Sequence, residues 1–355
     1  MERILNETIA VDKENVHEVI HEVGRTFEKW SAEHDHANTF VRKNYETLKE
    51  IRIFSAAIPR ELGGGGVSHS DMCEMLRILA GYCSSTALAL SMHQHLIAAT
   101  VWKYKRGLGG EILLRKVVDS QLVLVSTGAG DWLTSNGTLA RTTGGYLLTA
   151  RKHFSSQAPV GNILITSAVY EDPEKGAQVL HFPVPMNTKG LTVMDNWDAL
   201  GMRGTGSHSI ALDRVFVPDE SIVLTRKRGE YHPFFNVILT AAMPLIMSVY
   251  VGVSEKAARL ALKTMRKNPE NHTPYPIAEM INELTTARTL WKDMVSIAND
   301  LDFEPRNENG NAIAVRKTIV ADACIKTLSK AMEACGGKSY LREMELERLY
   351  RDVLA

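Results

Sequence analysis

The middle of the chain breaks the helical spacing found on either side of it, and that break limits the fold more than any other feature. From Gln121 to about Thr225 the sequence runs as LVLVS, GYLLTA, NILITSAVY, AQVLHFPV, GLTV and HSIALDRVFVP, with Gly, Asn, Asp and Pro between the runs. Short β-rich runs with such punctuation read as strands. No helix-length segment separates them, which argues against βαβ units and for an antiparallel barrel or sandwich. Before this region, Val16, Val19, Ile20 and Val23 recur at helical spacing, as do Met72, Met75, Leu76 and Leu79. Pro59 and the glycines 63 to 66 end one segment, and Ser68 with Asp71 three residues on marks a helix start. From Phe234 the helical pattern returns. The chain therefore reads as an α+β protein with an N-terminal α-helical domain (1–118), a middle antiparallel β-barrel or sandwich domain (119–226) and a C-terminal four-helix bundle (227–355).

Composition removes several function classes. Forty-one Lys and Arg balance forty-one Asp and Glu, so the basic footprint of a nucleic-acid binder is missing. The longest apolar stretch, Ile238 to Val253, is interrupted by Thr240, Pro244 and Ser248. It falls short of the roughly 20 residues a membrane span needs, so no membrane partner is expected. The N-terminus is acidic and lacks a signal-peptide apolar core. Cys73, Cys83, Cys324 and Cys335 lie scattered without metal-ligand spacing, which fits a reducing cytoplasm.

Local motifs compete with plainer readings. His17 to His21 matches HExxH, but no third ligand is marked downstream, and a polar helix face is expected instead. Gly63 to Gly66 has neither the Lys-Ser/Thr ending of a phosphate loop nor a strand before it, so it reads as a turn. His93 and His95 are two apart and face different ways on a helix. His93 sits in the apolar run ALALSMHQHLIAA, where a buried, hydrogen-bonded imidazole is expected and a pocket-lining role is the alternative. Gly204-Thr205-Gly206-Ser207-His208 lacks the context of a hydrolase nucleophile elbow. No metal site is expected.

Two longer motifs carry more. The first is Trp197-Asp198-Ala199-Leu200-Gly201-Met202-Arg203-Gly204-Thr205-Gly206-Ser207, followed by Leu212 to Pro218. The second is Cys335-Gly336-Gly337-Lys338-Ser339-Tyr340, continuing Leu346-Glu347-Arg348-Leu349-Tyr350-Arg351-Asp352. Together with the weaker Ile58-Pro59 to Gly64 match, they resemble the acyl-CoA dehydrogenase superfamily over nearly the whole chain. That resemblance implies FAD as cofactor and α,β-dehydrogenation of an acyl-CoA thioester, with hydride transfer to flavin N5. It also implies an electron acceptor such as an electron-transfer flavoprotein, and a homotetramer. The same fold serves two-component flavin monooxygenases that use reduced flavin or FMN, which is the alternative reading; a non-catalytic flavoprotein is a third.

By the same resemblance, Val125, Ser126, Thr127, Gly128, Ala129 and Gly130 match the first flavin loop, where a hydroxyl and backbone amides meet the pyrimidine side of the ring. Lys152 to Ser156 matches the second loop, with Phe154 in place of the ring-packing Trp, Ser155 beside it, and Ser156 in place of a Thr near N5. Gly336 and Gly337 match a turn that lets a neighbouring subunit's cofactor approach, and Glu333 stands where the family commonly has Gln. The base is the departure. The usual Glu falls beyond Ala355, the alternative position falls near Ala242 or Met243, and the pyrophosphate-binding Arg falls near Asn268, with Arg266 as substitute. The catalytic group is therefore expected outside these residues, with His93 and Ser156 as candidates within them.

Overall fold

The structure is a computed structural model that describes residues 10–128, 134–267 and 274–355. These residues form two compact units, one helical and one built on a sheet.

The helical unit takes residues up to Gln121, the segment Asp198–Thr205, and everything from Asn236. Its N-terminal helices are α1 (Val16–Ala37), α2 (Arg42–Glu50), α3 (His69–Ala80), α4 (Ser84–Lys105) and α5 (Glu111–Ser120). Helix α1 buries Val16, Val19, Ile20, Val23 and Phe27 along one stripe, the face its spacing specifies. Ser68 caps α3, its Oγ accepting from Asp71 N at 3.0 Å. In the glycine run before it, a Cβ on Gly64 would lie 2.1 Å from Ile58 O, so only glycine permits the turn. The run is a close-packed turn, as expected.

At the other end of the chain come α6 (Phe234–Lys267), α7 (Pro274–Ala298), α8 (Asn307–Cys335) and the short α9 (Glu345–Asp352). Helix α6 corrects the sequence reading of its apolar stretch. Thr240, Pro244 and Ser248 do not end it, and by length and composition it is long and apolar enough to cross a bilayer. Seventy-eight per cent of its apolar window is buried inside the protein, the pattern of a core helix. The interruptions are absorbed locally. Ser248 donates to Pro244 O at 2.7 Å, and Trp291 Nε1 donates to Ser248 Oγ at 2.9 Å, whereas Thr240 Oγ1 is buried without a partner among the described residues.

The two long motifs meet here. Met202 N donates to Asp352 Oδ1 at 2.6 Å, and Arg351 Nη1 donates to Leu200 O at 2.9 Å. Arg351 also grips both carboxylate oxygens of Asp35, at 2.9 and 2.7 Å. Ser84 donates to Asp352 Oδ2. A Cβ on Gly201 would sit 2.1 Å from Arg351 O, which is why that position is glycine. Segments about 150 residues apart in the chain are thus clasped by a buried carboxylate and a bidentate arginine. These motif residues hold the fold together.

The sheet unit comprises Leu122–Trp197 and Gly206–Phe235. Its strands are β1 (Leu124–Ser126), β2 (Thr138–Thr142), β3 (Gly145–Ser155), β4 (Ile163–Asp172), β5 (Gly176–Pro185), β6 (Leu191–Val193), β7 (His208–Pro218) and β8 (Leu224–Lys227). They pair in the order β6-β7-β3-β2-β4-β5-β8, and β1 joins β4. Most pairs are antiparallel, but β1 and β2 both run parallel to β4, so the expected antiparallel sheet is in fact mixed. Strand β1 pairs at Ile163–Ile165 and β2 at Val169–Tyr170, along successive stretches of β4. Two reversals, β2 to β3 and β3 to β4, restore the original direction. Alternation of apolar residues cannot reveal this, because it reports faces and not strand direction. Leu148, Leu164, Phe182, Ile210 and Val215 form the centre of the sheet unit's core.

Candidate active site

In the sheet unit, the residues matched to the two flavin loops come together. Val125 is fully buried and belongs to the core, so only its backbone faces outward chemistry. Thr127 is buried, with its Oγ1 3.2 Å from Thr166 Oγ1. Gly128 has φ +80, and a Cβ there would lie 3.8 Å from Phe154 O, so the end of the first loop runs beside the end of β3. Ala129 and Gly130 lie outside the described residues. The loop's base is fixed by Gln157, whose Nε2 donates to Leu124 O at 2.8 Å, and by Asn162, whose Oδ1 accepts from Val123 N at 2.7 Å.

The end of β3 presents three different side chains in succession. Phe154 is 64% exposed, unusual for a large apolar ring, and stands edge-on to Trp197 with centroids 5.4 Å apart. Ser155 is fully buried, and its Oγ has no hydrogen-bond partner among the described residues. Ser156 Oγ lies 2.8 Å from Ser207 Oγ. Trp197 is held by its backbone, its N–H donating to His208 Nδ1 at 3.1 Å, while Asn196 Nδ2 donates to Ser209 Oγ at 2.9 Å. Accepting at Nδ1 requires a neutral His208 imidazole, and burial lowers that residue's pKa accordingly.

Two groups lie within the sequence motifs but had no individual role assigned to them. Lys152 is fully buried, and its ammonium donates to Ser167 O at 2.6 Å and Asn136 O at 2.9 Å. It is a positive charge inside the sheet, two residues before Phe154, held by carbonyl dipoles. Ser207 is the second, and its signal was present in the motif Gly204-Thr205-Gly206-Ser207.

An orphaned hydroxyl at Ser155, a hydroxyl pair at Ser156 and Ser207, and an exposed aromatic ring suit a flat, hydrogen-bonding heterocycle. The donor set fits a flavin ring. Ser155 and the loop amides would meet its polar edge, and Phe154 its apolar surface.

In the helical unit, His93 is not a pocket residue. It faces the core, is fully buried, and its Nε2 donates to Phe54 O at 2.8 Å. Burial lowers its pKa to about 4. Its neighbour His95 lies on another face of α4 with Met92 and Leu96, all three only partly buried. The Nδ1 of His95 has no partner among the described residues, and burial likewise lowers its pKa to about 4. Two residues turn a helix by about 200°, which is why the two imidazoles lie on different faces. Ala242 is buried and cannot act as a base. Asn268 lies outside the described residues. Glu333 is exposed and paired with Lys330 at 2.9 Å. Gly336, at φ +68, and Gly337 have open space where a Cβ would point, so nothing within this chain crowds the turn. On α1, His17 pairs with Asp71 at 3.6 Å and His21 Nδ1 with Tyr82 Oη at 2.9 Å. Among the described residues no cluster could hold a metal ion.

Family models describe the whole arrangement. The acyl-CoA dehydrogenase N-terminal domain matches residues 13–105, the middle domain 126–215 and the C-terminal domain 239–355. The chain belongs to the acyl-CoA dehydrogenase family. Its relatives within the family differ in chemistry. One is the amino sugar nitrososynthase RubN8 of Streptomyces rubradiris, 28% identical over 92% of this chain and 81% of that protein. Another is the cyclohex-1-ene-1-carbonyl-CoA dehydrogenase of Syntrophus aciditrophicus, 25% identical over 90% of this chain and 79% of that one. Among solved structures, KijD3 in complex with FMN and a dTDP-linked amino keto sugar superposes with a TM-score of 0.84 at 27% identity, covering 95% of this chain and 87% of that one.

Proposed function

We propose that this flavoenzyme is a monooxygenase working with reduced flavin, an amine nitrogen being the substrate class to test first. The observation that carries the reading is the pairing of Ser156 and Ser207 just past β3, together with a buried Ala242 at the alternative position for the dehydrogenase carboxylate. Abstraction of an α-proton requires a base within hydrogen-bond reach of the substrate, and an alanine methyl offers none. A hydroxyl pair supplies what oxygenation needs instead. Ser207 can accept or donate to Ser156, so Ser156 Oγ can turn its proton toward the ring and take one back without a charged group. When bound and reduced, the flavin supplies electrons for the activation of dioxygen. Likeness to nitrososynthases, including one bound to FMN, supports the same reading.

The second reading is acyl-CoA dehydrogenation, favoured by the dehydrogenase relative and by the family's breadth. One experiment separates them. Protein loaded with FAD or FMN is mixed anaerobically with a panel of acyl-CoAs, then photoreduced and exposed to oxygen with an amine present. The expected outcome is no bleaching by any acyl-CoA and oxygen uptake coupled to amine oxidation. Bleaching by an acyl-CoA in the first step would overturn the proposal and establish the second reading.

A further inference from the structure

A cavity of about 360 Å³ opens in the helical unit, and every residue lining it belongs to that unit. One face of α4 forms its long wall, in the order Gln94, Ala98, Val101 and Lys105. Gln94 is 1% exposed; its Nε2 donates to Ile53 O at 3.0 Å, and its Oε1 is buried without a partner among the described residues. A buried carbonyl left unpaired is destabilising, so the site is built around an acceptor waiting for a donor. At the other end, Lys105 donates to the main-chain carbonyl of Asp300, at 3.2 Å, and no carboxylate among the described residues forms an ion pair with it. Met72, Leu245 and Leu301 close the apolar middle. Of the three lining cations, Arg60 pairs with Asp12 and Glu14, and Lys13 with Glu14, which leaves Lys105 as the cation open to a ligand.

The geometry points to a binding site for a small, single-headed carboxylic acid with an apolar chain and a hydroxyl or N–H at its far end. Gln94 and Lys105 are eleven residues apart, about 16 Å along the helix axis, and the lysine side chain spans part of that distance. A chain of roughly eight carbons fits the remainder and the cavity's volume, which lies in the range of small-ligand sites. The carboxylate pairs with Lys105, the terminal donor satisfies Gln94 Oε1, and the methylenes lie on Ala98 and Val101. A dianion is disfavoured because Lys13 and Arg60 are already paired and Lys105 alone is left to meet a charge.

The probe is 8-hydroxyoctanoate, with octanoate lacking the donor and 1,8-octanediol lacking the charge. Calorimetric titration of the intact protein is expected to show binding of the hydroxy acid at least tenfold tighter than either control. Gln94→Leu should erase its advantage over octanoate, and Lys105→Met its advantage over the diol. Ala98→Phe, which fills the cavity, should abolish binding, and a melting curve checks that the variant is folded. Equal binding of all three probes, binding unchanged in Gln94→Leu and Lys105→Met, or no binding at millimolar concentration would overturn the assignment. So would a crystal structure with the probe present that shows only water on Gln94 Oε1.

Discussion

Acidifying the protein from pH 6.5 toward 4 forces a proton onto His93, and the folded state resists it. The imidazole is fully buried against Phe54, and burial lowers its pKa to about 4. The unfolded chain takes the proton at about 6.5, so this contribution to stability is intact above that pH, declines below it and is gone near 4. A gap of that size is on the order of 3 kcal/mol. His93→Gln keeps a donor for Phe54 O but cannot titrate. Its urea midpoint should therefore fall less than the wild type's between pH 7 and 4.5, and an identical fall would refute the account. A second residue-scale prediction concerns Ser207. Replacing it with Ala removes the partner of Ser156 Oγ. Flavin affinity, read from quenching of flavin fluorescence, should weaken about tenfold, the worth of one hydrogen bond of roughly 1.4 kcal/mol. Unchanged affinity together with unchanged oxygen reactivity would remove Ser207 from the site.

At the scale of elements, the clasp between α9 and the segment Asp198–Thr205 is where the longest-range sequence signals become one structure. Asp352 is 2% exposed and accepts from both Met202 N and Ser84 Oγ. Asp352→Ala leaves those donors buried and unpaired, and a loss of about 2–4 kcal/mol is expected. Asp352→Asn preserves an acceptor for Met202 and should cost much less. Burial raises the pKa of Asp352, so its protonated form is favoured in the fold. That contribution is present at low pH and is lost as pH rises through the raised value; the Asn variant lacks this dependence. Thermal melts of the two variants across pH test both statements. A similar loss in Asp352→Asn and Asp352→Ala would show that volume matters there and hydrogen bonding does not.

At the scale of the whole molecule, apolar side chains remain exposed on the C-terminal helices. Tyr275 is 78% exposed, Val315 50% and Ile319 41%, and Tyr340, just past the Gly336-Gly337 turn, is 80% exposed. Isolated exposed apolar residues are ordinary, but several on these helices suit a subunit interface. We expect a homotetramer. Light scattering should give about four times the 39.4 kDa chain mass, and Ile319→Glu should reduce it. A monomer mass for the wild type would rule the interface out.

The amino-acid sequence alone determined the helix–strand–helix order, the capped start of α3, the glycine turn before it and the family motifs, because each is a local matter of spacing, capping or backbone freedom. Through the family motifs it also put Phe154, Ser155 and Ser156 forward as expected neighbours of a flavin. Tertiary structure decided the rest. Whether α6 spans a membrane or fills a core depends on what surrounds it, and strand direction in β1 and β2 depends on a partner elsewhere in the chain. Which of His93 and His95 is buried depends on how α4 is rotated against its neighbours. The unpaired Oε1 of Gln94 and the pairing of Ser156 with Ser207 exist only once distant segments are packed together. Periodicity assigns a residue to a face, but what that face meets is fixed by packing.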